Sequence, residues 1–165
     1  MSRDTIGDDI GAGAFWTGVG SRALGAVVIT TLGAKGPEGF LGLSFAHVCA
    51  KPPTVLVSVG GSTTALHAIR SSGAFAANVL TRGSEDTARA FGGEVPANRR
   101  FEGVEHAPFV TGAPVLSSAT AAFDCRVFQE IETPGATVFL ASVVGLRTGN
   151  ATGNLVAYGG GYLSL

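Results

Sequence analysis

The chain has 165 residues, of which 45 % are hydrophobic and 14 % charged, with a formal net charge of −1. That length suffices for one domain with a substantial core, and residues 1–165 are read as a single domain; scattered Lys and Arg leave no electrostatic footprint for nucleic acid, and no apolar run approaches the roughly 20 residues of a membrane span. A mean hydropathy of +0.36 in so short a chain points to surface hidden in a partner subunit, and a homodimer is expected.

Taken in chain order, Arg3, Asp4, Asp8 and Asp9 come with no apolar stretch of signal-peptide type. Asp8 to Arg22 reads as a helix weakened by Gly11, Gly13, Gly18 and Gly20, with Phe15, Trp16, Val19 and Ala23 on a partly apolar face. Ala23 to Leu32 is rich in β-branched residues and reads as a buried strand. Gly33–Gly39 is a turn by composition, joining that strand to Phe40–Phe45. Beyond His47, Val48 and Cys49, which read as a turn, Thr54–Val59 is a third strand. Ser62 is an expected N-cap for a helix over Thr63–Ser71, closed by Gly73. Ala74–Leu80 is the next strand, with Asn78 a buried amide in need of partners. Ser84 is expected to cap a short helix through Phe91, and Glu94 to Val104 reads as a surface loop that includes the basic pair Arg99–Arg100. Val115–Glu132 (bent), Thr137–Leu146 and Leu155–Tyr162 complete the strands. Many strands with few, short helices argue for a mainly β fold, a barrel with peripheral helices.

Familiar enzyme motifs are absent. His47, His67 and His106 lack metal-site spacing, and no metal ligand is assigned. No GxSxG or GxxxxGK[ST] occurs, and the glycines at 11–20 and 159–161 do not open a helix after a strand in the dinucleotide-binding manner. Cys49 and Cys125 are too few for a disulfide framework, which fits a reduced, cytoplasmic setting. Cys49 reads as a small packed residue, since nothing nearby in sequence would lower its pKa. What remains is a site built from backbone. On the residues alone, Leu41-Gly42-Leu43-Ser44 and Gly60-Gly61-Ser62 with Thr64 read first as a plain strand, loop and helix N-cap; the alternative is a strand edge that a ligand ring can approach closely and a helix start whose free N–H groups suit a phosphate.

The order of parts from Gly39 to Leu80 resembles the flavin reductase-like family, the FMN-binding split barrels. Gly39, Ser44, Phe45, Val48, Pro52, Pro53, Ser62, Thr64, Ile69, Arg70, Gly73, Phe75, Asn78, Val79 and Leu80 carry the likeness. Phe15, Gly20, Gly25 and Val27–Thr31 before it, and Arg100–Phe101, Gly112–Leu116, Ala119–Cys125, Thr137–Leu140 and Tyr158–Tyr162 after it, extend it over nearly the whole chain. The resemblance implies a homodimeric split barrel that binds FMN, with FAD as an alternative, and takes electrons from NADH or NADPH. It implies flavin contacts at Leu41, Gly42, Leu43, Ser44, His47, Val48, Cys49, Gly61, Ser62 and Thr64, and a monooxygenase supplied with reduced flavin. A flavin-binding electron carrier and a small-molecule reductase, such as one acting on corrins, are the alternatives, and a cofactor-free barrel is a third.

Three departures stand out. Leu41 and Leu43 replace the family's Thr and Ser, and His47 and Cys49 replace two serines. Pro134-Gly135-Ala136 stands where the family has Gly-Asp-His, so no imidazole is available there for the nicotinamide. His47 itself reads either as a structural residue beside Phe45 or as a flavin neighbour. No residue is assigned a catalytic proton or nucleophile.

Overall fold

The computed structural model of the chain describes Gly7 and residues 10–150 and 152–165. Arg3, Asp4, Asp8 and Asp9 lie outside them. In chain order the elements are α1 (Ala12–Gly20), β1 (Leu24–Gly25), β2 (Val27–Gly33), β3 (Gly36–Leu41), β4 (Ala46–Ala50), β5 (Pro53–Gly60), α2 (Ala65–Ser72), β6 (Ala74–Val79) and α3 (Glu85–Arg89). They continue with β7 (His106–Pro108), β8 (Pro114–Leu116), β9 (Ala121–Glu132), β10 (Ala136–Thr148), β11 (Leu155–Tyr158) and β12 (Gly161–Ser164).

Seven strands form one antiparallel sheet in the order β3-β2-β6-β9-β10-β5-β4. Ile29 and Phe40 near one end of that order share a single buried cluster with Val55, Val57 and Val59 near the other, and with Phe75 and Phe139 between. Strands at opposite ends can fill one interior only if the sheet is rolled, so the mainly β barrel expected from sequence is the observed fold. The roll is fastened by Ser44, whose Oγ donates to the Ser58 carbonyl (2.9 Å) and accepts from the Ser58 amide (3.0 Å). One hydroxyl thus satisfies both backbone groups of a β5 residue just past the end of its pairing with β4.

Side chains alternate across a strand, so Val28 points away from Ile29 into a second cluster with Leu80, Phe91, Leu116 and Leu155. That cluster is covered by α3, the β7–β8 ribbon and the β1-β11-β12 sheet. Helix α2 buries Ala65, Leu66, Ala68 and Ile69, and burying a side chain such as Ile69 is worth about 1.5–3 kcal/mol. It ends at Gly73, whose φ of 65° is the left-handed conformation glycine adopts without strain. Asn78 finds its partners: Nδ2 donates to the Val28 carbonyl and to Thr30 Oγ1 (both 3.1 Å), and Oδ1 accepts from the Leu116 amide (2.9 Å).

Several sequence expectations shift. The expected strand 23–32 is two, because Ala26 gives its amide to Leu155 and its carbonyl to Leu80, moving the chain from the small sheet to the barrel. The expected turn 33–39 shrinks to Ala34–Lys35, and Pro37 lies within β3, an edge strand where its missing N–H breaks no ladder. The expected strand 40–45 stops at Leu41, and residues 42–45 turn instead. The expected turn at 47–49 is strand β4, exposed throughout. Helix α2 starts at Ala65 after Thr64, not at Thr63 after Ser62, since the Thr63 amide closes a turn on Gly60 (2.9 Å) that carries Ser62 at its tip. Ser84 makes no side-chain cap for α3, which widens into a π-type turn over Ala90–Glu94. The bent strand 115–132 divides into β8 and β9, with β8 paired to the unforeseen β7, and 155–162 is a hairpin turning at Gly159 and Gly160 (φ 59° and 79°). Within the first helix, only Ala12–Gly20 is helical among the described residues, and none of those residues is buried.

Candidate functional site

Two adjoining clefts open at the barrel's mouth. The larger, about 740 Å3, lies between the Phe40–Ser44 segment, Ser58 and Gly60 of β5, the Gly135–Ala136 hairpin, α1 and the Tyr158–Tyr162 hairpin. The smaller, about 290 Å3, is lined by Ser62, Thr63, Thr64, Phe91, Gly92 and Arg100. Phe40, Leu41 and Thr63 border both, so a single elongated molecule can occupy the two together.

The 42–45 turn is set by close packing. The Gly42 amide donates to the Val27 carbonyl (2.7 Å), and a Cβ on Gly42 would overlap Cγ1 of the fully buried Ile29. With Ser44 Oγ fastened to β5, Gly42, Leu43 and Ser44 of the turn line the larger cleft. Among the described residues the Leu43 and Ser44 amides find no acceptor, and they are available to the polar edge of a planar ring. Hydrophobic neighbours such as Leu41 and Leu43 supply flat apolar contact.

The smaller cleft is polar and positively biased. Among the described residues the amides of Ser62, Thr64 and Ala65 have no acceptor, and Thr64 makes no side-chain cap. Free N–H groups and the positive end of the helix dipole favour an anion here. Arg100 closes the cleft: its Nε donates to the Val95 carbonyl (3.1 Å) and its Nη1 to the Gly39 carbonyl (2.9 Å). Burial pulls its pKa below the ordinary arginine value, but a guanidinium stays protonated in proteins. Gly39 makes room for this packing, because a Cβ there would meet the Phe91 ring at 2.9 Å. Among the described residues, Arg22 in the larger cleft and Arg100 in the smaller are the only charged ones lining either. In a chain of net charge −1, two clefts whose described lining carries cations and no carboxylate suit an anionic ligand.

Leu41, Gly42, Leu43 and Ser44 line the larger cleft, and Ser62 and Thr64 the smaller. Gly61 lines neither but latches the two walls, its amide donating to the Gly135 carbonyl (3.2 Å). His47, Val48 and Cys49 sit on the exposed edge strand β4 and line neither cleft. His47 is therefore not a packed structural residue, and Cys49 is exposed, its Sγ donating to the Pro52 carbonyl (3.1 Å) rather than packing as expected. Ala136 does border the larger cleft, beside Ser58 and Gly60, and brings no polar side-chain atom to it. Its hairpin is held by Thr133, whose amide and Oγ1 donate to the Ala136 carbonyl (2.9 and 2.7 Å). Arg70 braces it further, bonding Glu130, Glu132 and Thr137.

Sequence reasoning missed Arg100 by pairing it with Arg99 as a solvated loop. Arg99 fits that reading, since it is exposed and bonded to Glu102. Phe101 carried the contrary signal: it packs on Phe91 at 5.1 Å between ring centroids, in the second core cluster, so this loop is pinned to the barrel and Arg100 turns inward.

A rolled antiparallel barrel with an apolar cleft running into a helix start with free amides defines the class, a split barrel. The chain belongs to the flavin reductase-like family, whose domain model matches residues 19–165. It is 36 % identical over 141 residues to the FMN reductase (NADH) RutF of Bradyrhizobium diazoefficiens, covering 84 % of this chain and 78 % of that one. Among solved structures it is similar to the NADH:FAD oxidoreductase SgcE6 of Streptomyces globisporus (TM-score 0.89, 26 % identity, 99 % of each chain), which has also been solved with NAD and FAD fragments. It is similar too to nitrilotriacetate monooxygenase component B of Mycobacterium thermoresistibile (TM-score 0.86, 28 % identity, 93 % of this chain and 86 % of that one). Among the described residues, no helix is long and apolar enough to cross a membrane, and no group of three or more His, Cys, Asp or Glu residues is placed to hold a metal ion.

Proposed function

We propose that this protein is an NAD(P)H-dependent FMN reductase, acting as one flavin reductase-like domain over residues 1–165. The observation that carries the reading is the continuity of the two clefts: an apolar slot with free backbone amides leads directly into a helix start flanked by Arg100. FMN has that form, a flat ring with a polar edge joined to a phosphate. The Leu41–Ser44 segment would hold the ring, and Ser62, Thr64 and Arg100 the phosphate. A bound flavin accepts hydride from a nicotinamide and passes electrons on, and the residues here position it, shield one face and balance its charge. Relatives named as FMN reductases (NADH) support FMN and NADH as the pair.

Reduced flavin would then supply a separate oxygenase, a reading supported by the likeness to a monooxygenase component, in a cytoplasmic setting. The protein would work as a homodimer. The outward face of β5, β9 and β10 carries Leu56, Val138 and Leu140, only half-buried, and Ile131, 44 % exposed, with Phe128 beside them at 58 %. Among the described residues no helix covers that face, and a second copy would.

Ala136 favours one second reading, a flavin-binding electron carrier with little nicotinamide turnover, because the cleft lacks an imidazole at that point. The phosphate assignment is tested by flavin titration of Ser62→Asp. Like charge at the helix start should weaken FMN binding about tenfold or more and leave riboflavin, which has no phosphate, unaffected. Equal FMN affinity in the variant and the wild type would place the phosphate elsewhere.

A further inference from the structure

Helix α1 has an apolar face that the fold does not use. Phe15 and Trp16 are 55 % and 65 % exposed, and none of the helix's residues is buried. Yet both rings, with Val19 and Arg22, line the larger cleft, as the Leu41–Ser44 segment does. Phe15, Val19 and Arg22 follow i, i+4, i+7 spacing, which places them along one side of the helix and its continuation. The two rings meet edge to face (5.4 Å, 69°), forming a corner with open aromatic surface. The end of the helix is tied to the facing hairpin by the Gly159 amide, which donates to the Gly20 carbonyl (2.8 Å).

From this arrangement we propose that the α1 face is the subsite for the adenosine diphosphate half of the nicotinamide donor, with the Phe15–Trp16 corner stacking the adenine and Arg22 facing the diphosphate. The proposal rests on the reductase reading given above. An aromatic surface left exposed inside a cleft suits a flat ring. Among the described residues Arg22 is the only charged one lining the larger cleft, so the ligand part lying there should be anionic and aromatic together. FMN, with its phosphate in the smaller cleft, leaves both features without a partner. A donor whose nicotinamide reaches the flavin ring at Leu41–Ser44 would bring its diphosphate and adenine across the cleft to α1.

Trp16 is the only tryptophan in the chain, so its fluorescence reports on this face directly. ADP-ribose added to the full-length protein should quench Trp16 saturably, and Arg22→Gln should weaken that binding about tenfold. With FMN saturating, kcat/KM for NADH should fall about tenfold in Arg22→Gln and in Trp16→Ala, while both variants titrate FMN as the wild type does. Because α1 buries nothing, these substitutions leave the core intact, and circular dichroism verifies the fold. No quenching by ADP-ribose overturns the proposal. So does a variant that loses FAD affinity but keeps NADH kinetics, which would assign α1 to the flavin's own adenine. Trp16 emission that follows dilution of the dimer and ignores ADP-ribose would assign the face to a second copy, again overturning it. A wild-type protein that binds ADP-ribose at Trp16 but never oxidises NADH would instead contradict the reductase reading.

Discussion

Residue identity decides the site at a few points, and Ala136 is the most consequential. It borders the larger cleft next to Ser58 and Gly60, at the place where the resemblance to the family implies a histidine. A methyl group there offers the nicotinamide no hydrogen bond, and losing one costs about 0.5–1.5 kcal/mol, up to roughly tenfold in affinity. Ala136→His should therefore lower KM for NADH by up to about tenfold with little change in FMN affinity; an unchanged KM in a folded, flavin-loaded variant would mean that the nicotinamide docks away from position 136. Ser44 illustrates the opposite case. The sequence marks it as a flavin contact, but its hydroxyl is committed to the backbone of Ser58, leaving only its amide for a ligand. The thiols divide sharply: burial first, and the Asp124 carboxylate second, push Cys125 up to about 12, whereas Cys49 lies in the open.

At the scale of elements, the turn over residues 42–45 governs the cleft, and Gly42 governs the turn. Its hypothetical Cβ would strike Ile29, which is fully buried and has no room to yield. Gly42→Ala should cost about 1–3 kcal/mol, the usual penalty for overpacking, and should weaken flavin binding because Leu43 and Ser44 move with it. Thermal unfolding measured alongside FMN titration checks both effects, and a variant as stable as the wild type would show that the turn can relax. Strand cores such as 55–59 and 74–79 were legible in the sequence because apolar and β-branched runs mark burial. Their ends were not. Pro37 and Gly39 read as turn residues, but an edge position tolerates the first and the approach of Phe91 requires the second. The start of α2 slipped from Ser62 because cap residues recur at 62, 63 and 64, and only the Gly60–Thr63 hydrogen bond selects among them.

At the scale of the whole molecule, the barrel was legible from strand number and the order of motifs, whereas the cleft was not. The cleft's walls come from α1, the 42–45 turn, the 135–136 hairpin and the 158–162 hairpin, segments distant in sequence that no local pattern joins. The same distance hid Arg100, which reaches the Gly39 carbonyl across 61 positions. The low charge and the uncovered face around Ile131, Val138 and Leu140 argue for a dimer, and light scattering should give about twice the chain mass of 16.6 kDa at micromolar concentration. A stable monomer with full flavin affinity would contradict that assembly. The most direct test of the central claim, that the joined clefts hold FMN where a nicotinamide can reduce it, is anaerobic stopped-flow mixing of FMN-loaded protein with NADH. Rapid, saturable loss of the oxidised-flavin absorbance in a single turnover is expected, and flavin that stays bound yet oxidised at high NADH would contradict that claim.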